Sequence, residues 1–452
     1  MKKTSAVAAG ALISHLAPRV AQAEKAEPLT NWAGNLQYHA ENRFKPTTIQ
    51  QVQQIVKDSA TIRALGSRHS FNTIADTTTN QISLEHQTAR GIINEPGASG
   101  GKAHSVIVGA GVRYGTLAPW LDAKGFALHN LASLPHITVV GAVSTATHGS
   151  GVHNGNLATA VGALELVTAD GKVLLLSRDR DDANFAGAVV ALGSLGIVTR
   201  ITLDVQPRFD MRQVVYQNLS MNQLEHNLEK IMSAGYSVSL FTNWQNHNIN
   251  QVWIKSKVVP GQKHHIAGEF YGAKAAKHDL HPIDGHSAES CTPQMGVAGP
   301  WYERMPHFKM NFTPSSGAEL QTEYFVPRNR GYEAILAVEQ LKDKITPHLF
   351  ITELRSIAAD QLWMSPAYKR DSLAIHFTWK PETPQVMDLL PQIEEKLAPF
   401  DARPHWAKLF TVPPARLKTL YEKMPDFQGL LNQHDPKGKF RNQFINHNIF
   451  NT

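Results

Sequence analysis

The sequence has a single cysteine, Cys291, and no long hydrophobic run. One thiol cannot form an internal disulfide, and we interpret Cys291 as a buried structural residue. No apolar stretch after the first residues reaches the roughly 20 residues that a membrane-spanning helix needs, which predicts a protein without membrane insertion. The formal net charge is +6, but the lysines and arginines form no block or arm, so we expect no nucleic-acid partner.

The chain is too long for one hydrophobic core. At 452 residues, two interlocked domains are the default expectation. A composition of 42% hydrophobic and 18% charged residues is typical of a folded globular protein with little disorder. No internal repeat at a fixed period is visible.

The first 23 residues have the pattern of a secretory signal. Lys2 and Lys3 precede an apolar stretch over residues 6–16, which His15 interrupts, and Ala21 and Ala23 form a small-residue cleavage site. The pattern predicts a secreted or periplasmic protein. Without a functional signal, the protein would be cytoplasmic.

Residues 24–210 carry the signals of an α+β domain. Thr48 and Gln51 form a capping box that starts a helix with apolar residues at 49, 52, 55 and 56. A second helix, over residues 114–121, is expected to end near Gly125. Strands are predicted at 61–65, 105–108, 163–168 and 172–177, the last two joined by a turn at 169–171. The elements do not alternate as in a doubly wound sheet.

From residue 211 to 405, longer strands and helices with histidine-rich connectors predict a second domain. Histidines lie at 264, 265, 278, 281 and 286. Such residues can bind a metal, but their spacing fits no compact ligand motif, so we favour surface loops and expect no metal site.

Three glycine-bearing elements in the first domain carry the chemistry. The turn Gly66-Ser67-Arg68-His69-Ser70 follows a predicted strand, and its backbone N–H groups suit an anion such as a pyrophosphate. Residues 130–151 nearly lack large side chains, which allows backbone to approach a large flat ligand closely. Residues 193–199 again combine glycine with a strand. Taken singly, each element also suits an ordinary loop or a close helix contact.

Two strands of the second domain present polar pairs. Glu353 and Arg355 lie on one face of a strand, and so do His376 and Thr378, because side chains alternate across a strand. The pairs suit a site for a hydroxyl-rich ligand, or equally a structural ion pair and a solvated strand face.

The three glycine elements, in this order, resemble those of the vanillyl-alcohol-oxidase group of flavoproteins, most closely its alditol (xylitol) oxidase branch. The resemblance runs from Asn31 to Asn442, nearly the whole chain after the signal. It implies a two-domain α+β fold with an FAD-binding domain of the PCMH type over 24–210, a substrate (cap) domain over 211–405, and a return to the FAD domain over 406–452. It also implies that FAD is bonded covalently to His69 through its 8α carbon.

The resemblance carries over site residues one by one. Substrate binding is implied for Ser133, Glu353, Arg355, His376, Thr378 and Lys408, of which Glu353, Arg355 and Lys408 are the catalytic candidates. FAD binding is implied for Leu65, Gly66, Ser67, Arg68, His69, Ser70, Ser133, His136, Thr138, Val139, Gly141, Ser144, Thr145, Thr147, His148, Gly149, Gly151, Ile197, Val198, His405 and Asn442. Where the family accepts glycine, this chain has Arg68, which either contacts the pyrophosphate or points to solvent.

By the same resemblance, the reaction is oxidation of the terminal hydroxyl of a polyol by hydride transfer to flavin N5, with O₂ reduced to hydrogen peroxide. Arg355 and Lys408 would stabilise negative charge on the substrate oxygen and assist the departure of its proton, and Glu353 would orient Arg355. The partners expected are a small polyol or sugar and O₂, and the protein is expected to be a monomer. One alternative is an aldonolactone oxidase or dehydrogenase on the same fold. A separate alternative concerns the acceptor: Ala132, expected near the flavin, would restrict oxygen access and favour an electron carrier. The third alternative is a secreted binding protein without turnover.

Overall fold

The computed structural model describes residues 24–96, 102–262, 265–311 and 319–452. The predicted signal at 1–23 therefore lies outside the described residues. Within the described ranges, no helix is both long and apolar enough to cross a membrane.

The first part of the chain contains short strands and four helices among its described residues. Its strands are β1 (Glu24–Lys25), β2 (Leu29–Thr30), β3 (Gln37–Tyr38), β4 (Asn42–Phe44), β5 (Ile62–Leu65), β6 (Asn80–Ser83), β7 (Arg90–Pro96), β8 (Lys102–Gly109), β9 (Phe126–Ala127), β10 (Val161–Val167), β11 (Val173–Ser177) and β12 (Ile197–Pro207). Its helices are α1 (Ile49–Asp58), α2 (Tyr114–Ala123), α3 (Val139–Ser144) and α4 (Arg178–Val189).

Local sequence signals explain several of these elements. Thr48 and Gln51 form the predicted capping box, with the Gln51 N–H donating to Thr48 Oγ1, and α1 buries Val52, Ile55 and Val56. Helix α2 is followed by Gly125 at φ +84°, a left-handed conformation that glycine adopts without strain. The predicted helices at 49 and 114 and the hairpin at 163–177 are confirmed.

Two sheets organise this part. One has the order β1-β4-β6-β5, in which β4, β6 and β5 run parallel. The other is antiparallel, with the order β11-β10-β12-β8-β7 and β9 beside β12. The mixture of parallel and antiparallel pairing confirms the α+β class and is unlike a doubly wound sheet.

The remaining described elements begin at Asp210. The strands are β13 (Asp210–Ser220), β14 (Ser237–Thr242), β15 (Asn248–Lys257), β16 (Glu269–Phe270), β17 (Ala273–Ala275), β18 (Gly299–Pro300), β19 (Leu320–Pro327), β20 (Leu349–Ile357), β21 (Ser372–Trp379) and β22 (Arg403–Pro404). The helices are α5 (Gln223–Met232), α6 (Gly331–Glu339), α7 (Lys342–Ile345), α8 (Thr383–Leu397), α9 (Pro414–Leu420), α10 (Met424–His434) and α11 (Gln443–Ile445).

These strands form one large antiparallel sheet with two different faces. Its order among the described strands is β16-β17-β13-β15-β14-β20-β21-β19-β22, with β18 beside β13. Apolar residues on one face, among them Leu240, Leu354 and Ile375, pack against helices α5, α6 and α8 in a single core. The alternate positions of the central strands therefore point away from that core, toward the first part of the chain.

After β22 the chain packs against the first part again. Helices α9, α10 and α11 contribute Leu417, Phe427 and Ile445 to the core that also contains Val108 and Leu203. The segment over 406–408 is hydrogen-bonded to the turn that follows β5: the backbone N–H of Phe71 donates to the Ala407 carbonyl at 2.8 Å. This return brings side chains from the end of the chain beside the glycine-rich turn.

Candidate active site

One cavity of about 1390 Å³ lies between the first part of the chain and the polar face of the large sheet. This volume exceeds the roughly 300–1,000 Å³ of an ordinary small-molecule pocket. Its wall contains the turn after β5 and the segment around α3 on one side, and residues of β19, β20 and β21 on the other. The space therefore suits a ligand larger than a typical metabolite, together with a second small molecule.

The turn after β5 exposes backbone donors to this cavity. Arg68 has φ +64°, a left-handed conformation that turns the chain sharply. No described residue accepts a hydrogen bond from the backbone N–H groups of Ser67 to Ser70. A run of unpaired N–H groups in such a turn is the arrangement that binds an anion.

Close approach of backbone segments explains the glycines in the cavity wall. A Cβ atom on Gly66 would lie 2.7 Å from Thr138 Oγ1, and one on Gly141 would lie 2.8 Å from the same atom. Both distances are shorter than non-bonded atoms tolerate. Gly66 thus lets the turn approach the start of helix α3, with Ser67 Oγ accepting from the Thr138 N–H at 3.1 Å, and Gly141 leaves room for the Thr138 hydroxyl within the first turn of α3.

His69 stands in the cavity wall with an aromatic and a second imidazole against it. Its Nδ1 lies 3.2 Å from His136 Nε2, and its ring centroid lies 4.7 Å from that of Trp32. Burial, together with His136 and Lys408, lowers the pKa of His69 well below its usual value. The imidazole is therefore neutral near pH 7, with a nitrogen lone pair free of a proton.

The polar pairs predicted on β20 and β21 are confirmed as same-face pairs. Arg355 Nε lies 3.6 Å from Glu353 Oε2, and His376 Nε2 lies 3.2 Å from Thr378 Oγ1. The sheet register places Glu353 opposite His376, and His376 opposite Glu323 of β19. Charged and hydrogen-bonding side chains thus form one row across three neighbouring strands.

Glu323 is the centre of this row, and the sequence reasoning missed it. Its Oε1 accepts from Arg355 at 2.6 Å and lies 3.1 Å from His148 Nε2, and its Oε2 accepts from Lys408 Nζ at 2.7 Å. The side chain is 1% exposed. Gln321 and Glu323 share one face of β19, but Thr322 between them is also polar, so β19 lacks the clear alternation of polar and apolar residues seen in β21.

The charged side chains around Glu323 shift one another's pKa values. Burial opposes ionisation of Glu323, but Lys408, His148 and Arg355 outweigh it and hold the pKa of Glu323 well below its usual value. Burial likewise disfavours the Arg355 cation, but Glu353 and Glu323 raise its pKa. The Lys408 pKa is lowered to about 8 by burial, although Glu323 opposes the shift. Arg355 is therefore a permanent cation, whereas Lys408 changes charge near physiological pH.

Hydrogen bonds from the glycine-rich side hold the segment that carries Lys408. Asn72 Nδ2 donates to the Trp406 carbonyl at 2.9 Å and to the Lys408 carbonyl at 2.7 Å. Lys408 Nζ in turn reaches His376 Nδ1 at 2.7 Å. The lysine therefore bridges the turn that carries His69 and the polar row of the sheet.

Most of the residues predicted for the site line this cavity. They are Leu65, Gly66, Ser67, Arg68, His69, Ser70, Ser133, Thr138, Gly141, Ser144, Thr145, Thr147, His148, Val198, Glu353, Arg355, His376, Thr378, His405 and Lys408. Arg68 also donates to the Thr30 carbonyl at 3.0 Å and is exposed. Ala132, expected near a flavin, lies in the wall as well.

Six predicted residues lie behind the wall. His136 contacts His69, and Val139 is buried at the start of α3. Gly149 packs against Asn130, while the Gly151 N–H donates to the Ser356 carbonyl of β20. Ile197 belongs to a small core with Val52 and Ile82. Asn442 Nδ2 donates to the carbonyls of Thr73, Ile74 and Asp76. These six shape the cavity through packing and backbone contacts.

His264 lies outside the described residues, but the histidine-rich connector over 278–286 is a loop, as expected, and it borders the cavity. His281 and His286 line it, with ring centroids 5.1 Å apart. His307, on a later loop, lines it too, and was not singled out from the sequence. Among the described residues, no group of three or more histidine, cysteine, aspartate or glutamate side chains has an arrangement able to hold a metal ion.

Comparison with known proteins matches both halves of this arrangement. The family model of an FAD binding domain matches residues 41–177, and that of D-arabinono-1,4-lactone oxidase matches residues 314–448. An alditol oxidase of Streptomyces sp. is 43% identical over 92% of this chain and 98% of its own length. An L-gulono-1,4-lactone dehydrogenase of Mycobacterium tuberculosis is 26% identical over 92% of this chain and 97% of its own.

A solved structure with similar architecture is the cholesterol oxidase from B. sterolicum. It superposes with a TM-score of 0.75 over 98% of this chain and 100% of its own, at 14% identity. This likeness shows that the two chains share a fold.

The residues present fit FAD. The turn after β5 (residues 66–70) and the segment around α3 (residues 132–145) form one wall, which we call the cradle. The cradle combines unpaired backbone donors for a pyrophosphate with glycines whose Cβ atoms would close the space beside Thr138. It opens into the same cavity as the polar row, with room for a second, small ligand. The cofactor of this chain is FAD, and the chain is a member of the alditol oxidase family of FAD-dependent oxidoreductases.

Proposed function

We propose that this protein oxidises the terminal hydroxyl of a polyol, such as xylitol or sorbitol, to the aldose, with O₂ reduced to hydrogen peroxide. The observation that carries the proposal is one cavity shared by the glycine-rich cradle and the polar row of the sheet. A polyol offers only hydroxyl groups, so it needs donors and acceptors at fixed positions. The name of the Streptomyces relative supports the same substrate class.

The polar row, together with Ser133 of the opposite wall, contains both donors and acceptors. Arg355 and Lys408 donate, while Glu353 accepts; Ser133, His376 and Thr378 supply groups that do both. We propose that these six residues bind the polyol. A buried polar group left without its partner would penalise a substrate that lacks the matching hydroxyl.

We assign different roles to the two cations. FAD, when bound, supplies the two-electron oxidation of the carbinol carbon and returns the electrons to O₂. Arg355, charged at every relevant pH, stabilises negative charge on the substrate oxygen. Lys408, whose pKa is about 8, accepts the hydroxyl proton when it is neutral. Glu323 holds both nitrogens at 2.6–2.7 Å.

We further propose that FAD is attached covalently to His69. The neutral imidazole in the cavity wall supports this, because bond formation to the 8α carbon needs an unprotonated nitrogen. Denaturing electrophoresis followed by acid and ultraviolet illumination gives the test. A fluorescent band in the wild type that disappears in His69→Ala is expected, and a dark wild-type band would contradict the attachment.

A second candidate is oxidation of an aldonolactone, which the names of the more distant relatives suggest. The test compares peroxide formation with xylitol, sorbitol and L-gulono-1,4-lactone, and repeats each assay anaerobically with an artificial electron acceptor. Faster turnover of the polyols, with peroxide produced, is expected. Preference for the lactone would contradict the proposed polyol substrate. Activity only with the artificial acceptor would contradict O₂ as the proposed acceptor. A colourless preparation would favour a binding protein without turnover.

We propose that 24–210 with 406–452 forms the FAD-binding unit and 211–405 the substrate unit, in a monomer exported by its first 23 residues. The contribution of α9–α11 to the core of the first part supports this division. Lys2, Lys3 and the apolar stretch after them support export. Light scattering of the purified protein, and N-terminal sequencing of protein from separated cell fractions, test the oligomeric state and the cleavage.

A further inference from the structure

A buried lysine stands outside the roles given above. Lys255, on β15, is 1% exposed, and its Nζ donates to the Met305 carbonyl at 2.6 Å. The same nitrogen lies 3.0 Å from Nδ1 of His307, whose side chain is also buried. Burying an ammonium group is costly, and a protein that retains one usually gives it a specific partner.

The partners fix the direction of each hydrogen bond. Burial disfavours ionised Glu353, but Arg355 and His307 outweigh it and hold the pKa of Glu353 well below its usual value, so this carboxylate only accepts and the proton of the neutral His307 ring is on Nε2. His307 Nδ1 therefore accepts from Lys255 Nζ, both when this nitrogen is an ammonium and when it is the neutral amine that burial favours by lowering the Lys255 pKa to about 7. Burial lowers the pKa of His307 to about 4, which keeps the ring neutral at physiological pH. His307 Nε2 lies 2.7 Å from Glu353 Oε1 and therefore donates to it. The two hydrogen bonds run in one direction: Lys255 donates to His307, and His307 donates to the Glu353 carboxylate. We call this arrangement the relay.

This relay leaves the other oxygen of Glu353 available. Among the described residues, none donates a hydrogen bond to Glu353 Oε2, and the closest cation atom, Arg355 Nε, is 3.6 Å away, too far for a hydrogen bond. Arg355 Nε itself has no hydrogen-bond partner among the described residues. When His307 is removed, we expect the carboxylate to turn and pair with this N–H group, which lies only 3.6 Å away.

We propose that Lys255 and His307 are positioning residues that hold Glu353 as an acceptor directed into the cavity, for a substrate hydroxyl away from the carbon being oxidised. The inference rests on the proposed function and deepens it, because it names what selects a hydroxyl-rich substrate. Neither residue contacts the reacting atoms. Lys255 acts through His307, and His307 through Glu353.

The relay predicts how substitutions divide between substrates. His307→Leu removes the donor, and we expect kcat/KM for xylitol to fall roughly 10- to 100-fold, mainly through KM. For 1,2-propanediol, which lacks the distal hydroxyls, we expect a change below about threefold. His307→Gln is the matched control, since its amide retains both an acceptor for Lys255 and a donor for Glu353, and it should keep most of the xylitol preference.

Lys255→Met tests the same link without altering the cavity wall, because Lys255 does not line it. It should shift selectivity in the same direction as His307→Leu. Flavin absorbance and melting temperature show whether each variant folds. A merely structural relay predicts equal losses for both substrates, and that result would overturn the inference.

A double-mutant cycle with Glu353→Gln separates action through Glu353 from general damage. His307→Leu should cost less than about threefold in the Glu353→Gln background, because its effect requires the carboxylate. If the losses in kcat/KM of the two single variants instead multiply in the double variant, the relay is refuted. Binding can be measured without turnover as the rise in melting temperature that xylitol gives the anaerobically reduced holoenzyme; the rise should be retained in His307→Gln and lost in His307→Leu. A wild type that neither binds nor oxidises any polyol would instead refute the proposed function.

Discussion

The two walls of the cavity are built on opposite principles. The cradle uses glycine, serine and threonine from two short stretches of chain, and its donors are backbone N–H groups. The facing wall brings Glu323, Glu353, Arg355 and Lys408 together from two strands and a distant loop, with ion-pair distances of 2.6–3.6 Å. The cradle is specified by close approach, whereas the polar row is specified by charges that depend on each other.

This difference determines how each wall responds to substitution. A change in the cradle adds or removes volume, and its cost is limited by how far two backbone segments can separate. A change in the polar row leaves a buried charge without its partner, which is among the most costly events in a protein interior. The polar row should therefore be the more sensitive wall, and the following substitutions, in decreasing order of effect, test that order.

The largest effect is expected for Glu323→Gln. It leaves the Arg355 and Lys408 cations without their shared carboxylate, so we expect a loss of about 3–5 kcal/mol in the free energy of unfolding, together with most of the turnover. Chemical denaturation and steady-state kinetics measure the two losses. The control is Glu319→Gln, which removes a carboxylate that lines the same cavity but forms no ion pair with a described residue. Equal destabilisation by both would show that the row is not electrostatically coupled.

Lys408→Met should retain bound flavin and lose turnover by roughly 10²- to 10⁴-fold, as expected for a lost proton acceptor. Because we propose neutral Lys408 as the proton acceptor, kcat/KM of the wild type should rise with pH and level off above about 8, the pKa of this amine. Lys408→Arg, charged throughout, should abolish that rise. Activity that instead falls above pH 8 would mean that the ammonium form is required.

Gly66→Ala tests the cradle. The added methyl group would lie 2.7 Å from Thr138 Oγ1, so we expect the free energy of unfolding to fall by about 1–3 kcal/mol and the flavin content to be lower. Thr138→Ala should relieve part of that cost in the double variant. Gly91→Ala, where no atom lies within 4 Å of the new Cβ, is the control. Melting temperatures and the flavin-to-protein absorbance ratio give the answer, and full flavin content in Gly66→Ala would show that the two segments separate freely.

The smallest effect is expected for Arg68→Ala. The side chain is exposed and donates only to the Thr30 carbonyl among the described residues, so the free energy of unfolding should change by less than about 0.5 kcal/mol. Flavin content measures any contact with the pyrophosphate. A marked loss of flavin would make Arg68 part of the cradle, and would reduce the contrast between the two walls.

Sequence patterns predicted the local features on both walls. The capping box before α1 and the alternation of Glu353 with Arg355 need only neighbouring residues to be recognised. The same holds for the turn that carries His69. Lys255 and His307 carried no comparable signal, because a lysine near a strand end and a histidine in a loop are usually solvated. Glu323 follows two other polar residues, Gln321 and Thr322, and nothing local distinguishes a buried carboxylate from a solvated one.

The amino-acid sequence by itself determined the α+β class, the glycine-bearing turn that carries His69, and the family, because each depends on contiguous residues in a fixed order. Only the tertiary structure decided that Glu323 joins Arg355 to Lys408, and that Lys255 reaches Glu353 through His307. The physical reason is that each of these contacts joins two residues that are 32 to 85 positions apart in the chain. Sheet register and the return of the chain after β22 set those contacts, and no local pattern encodes them.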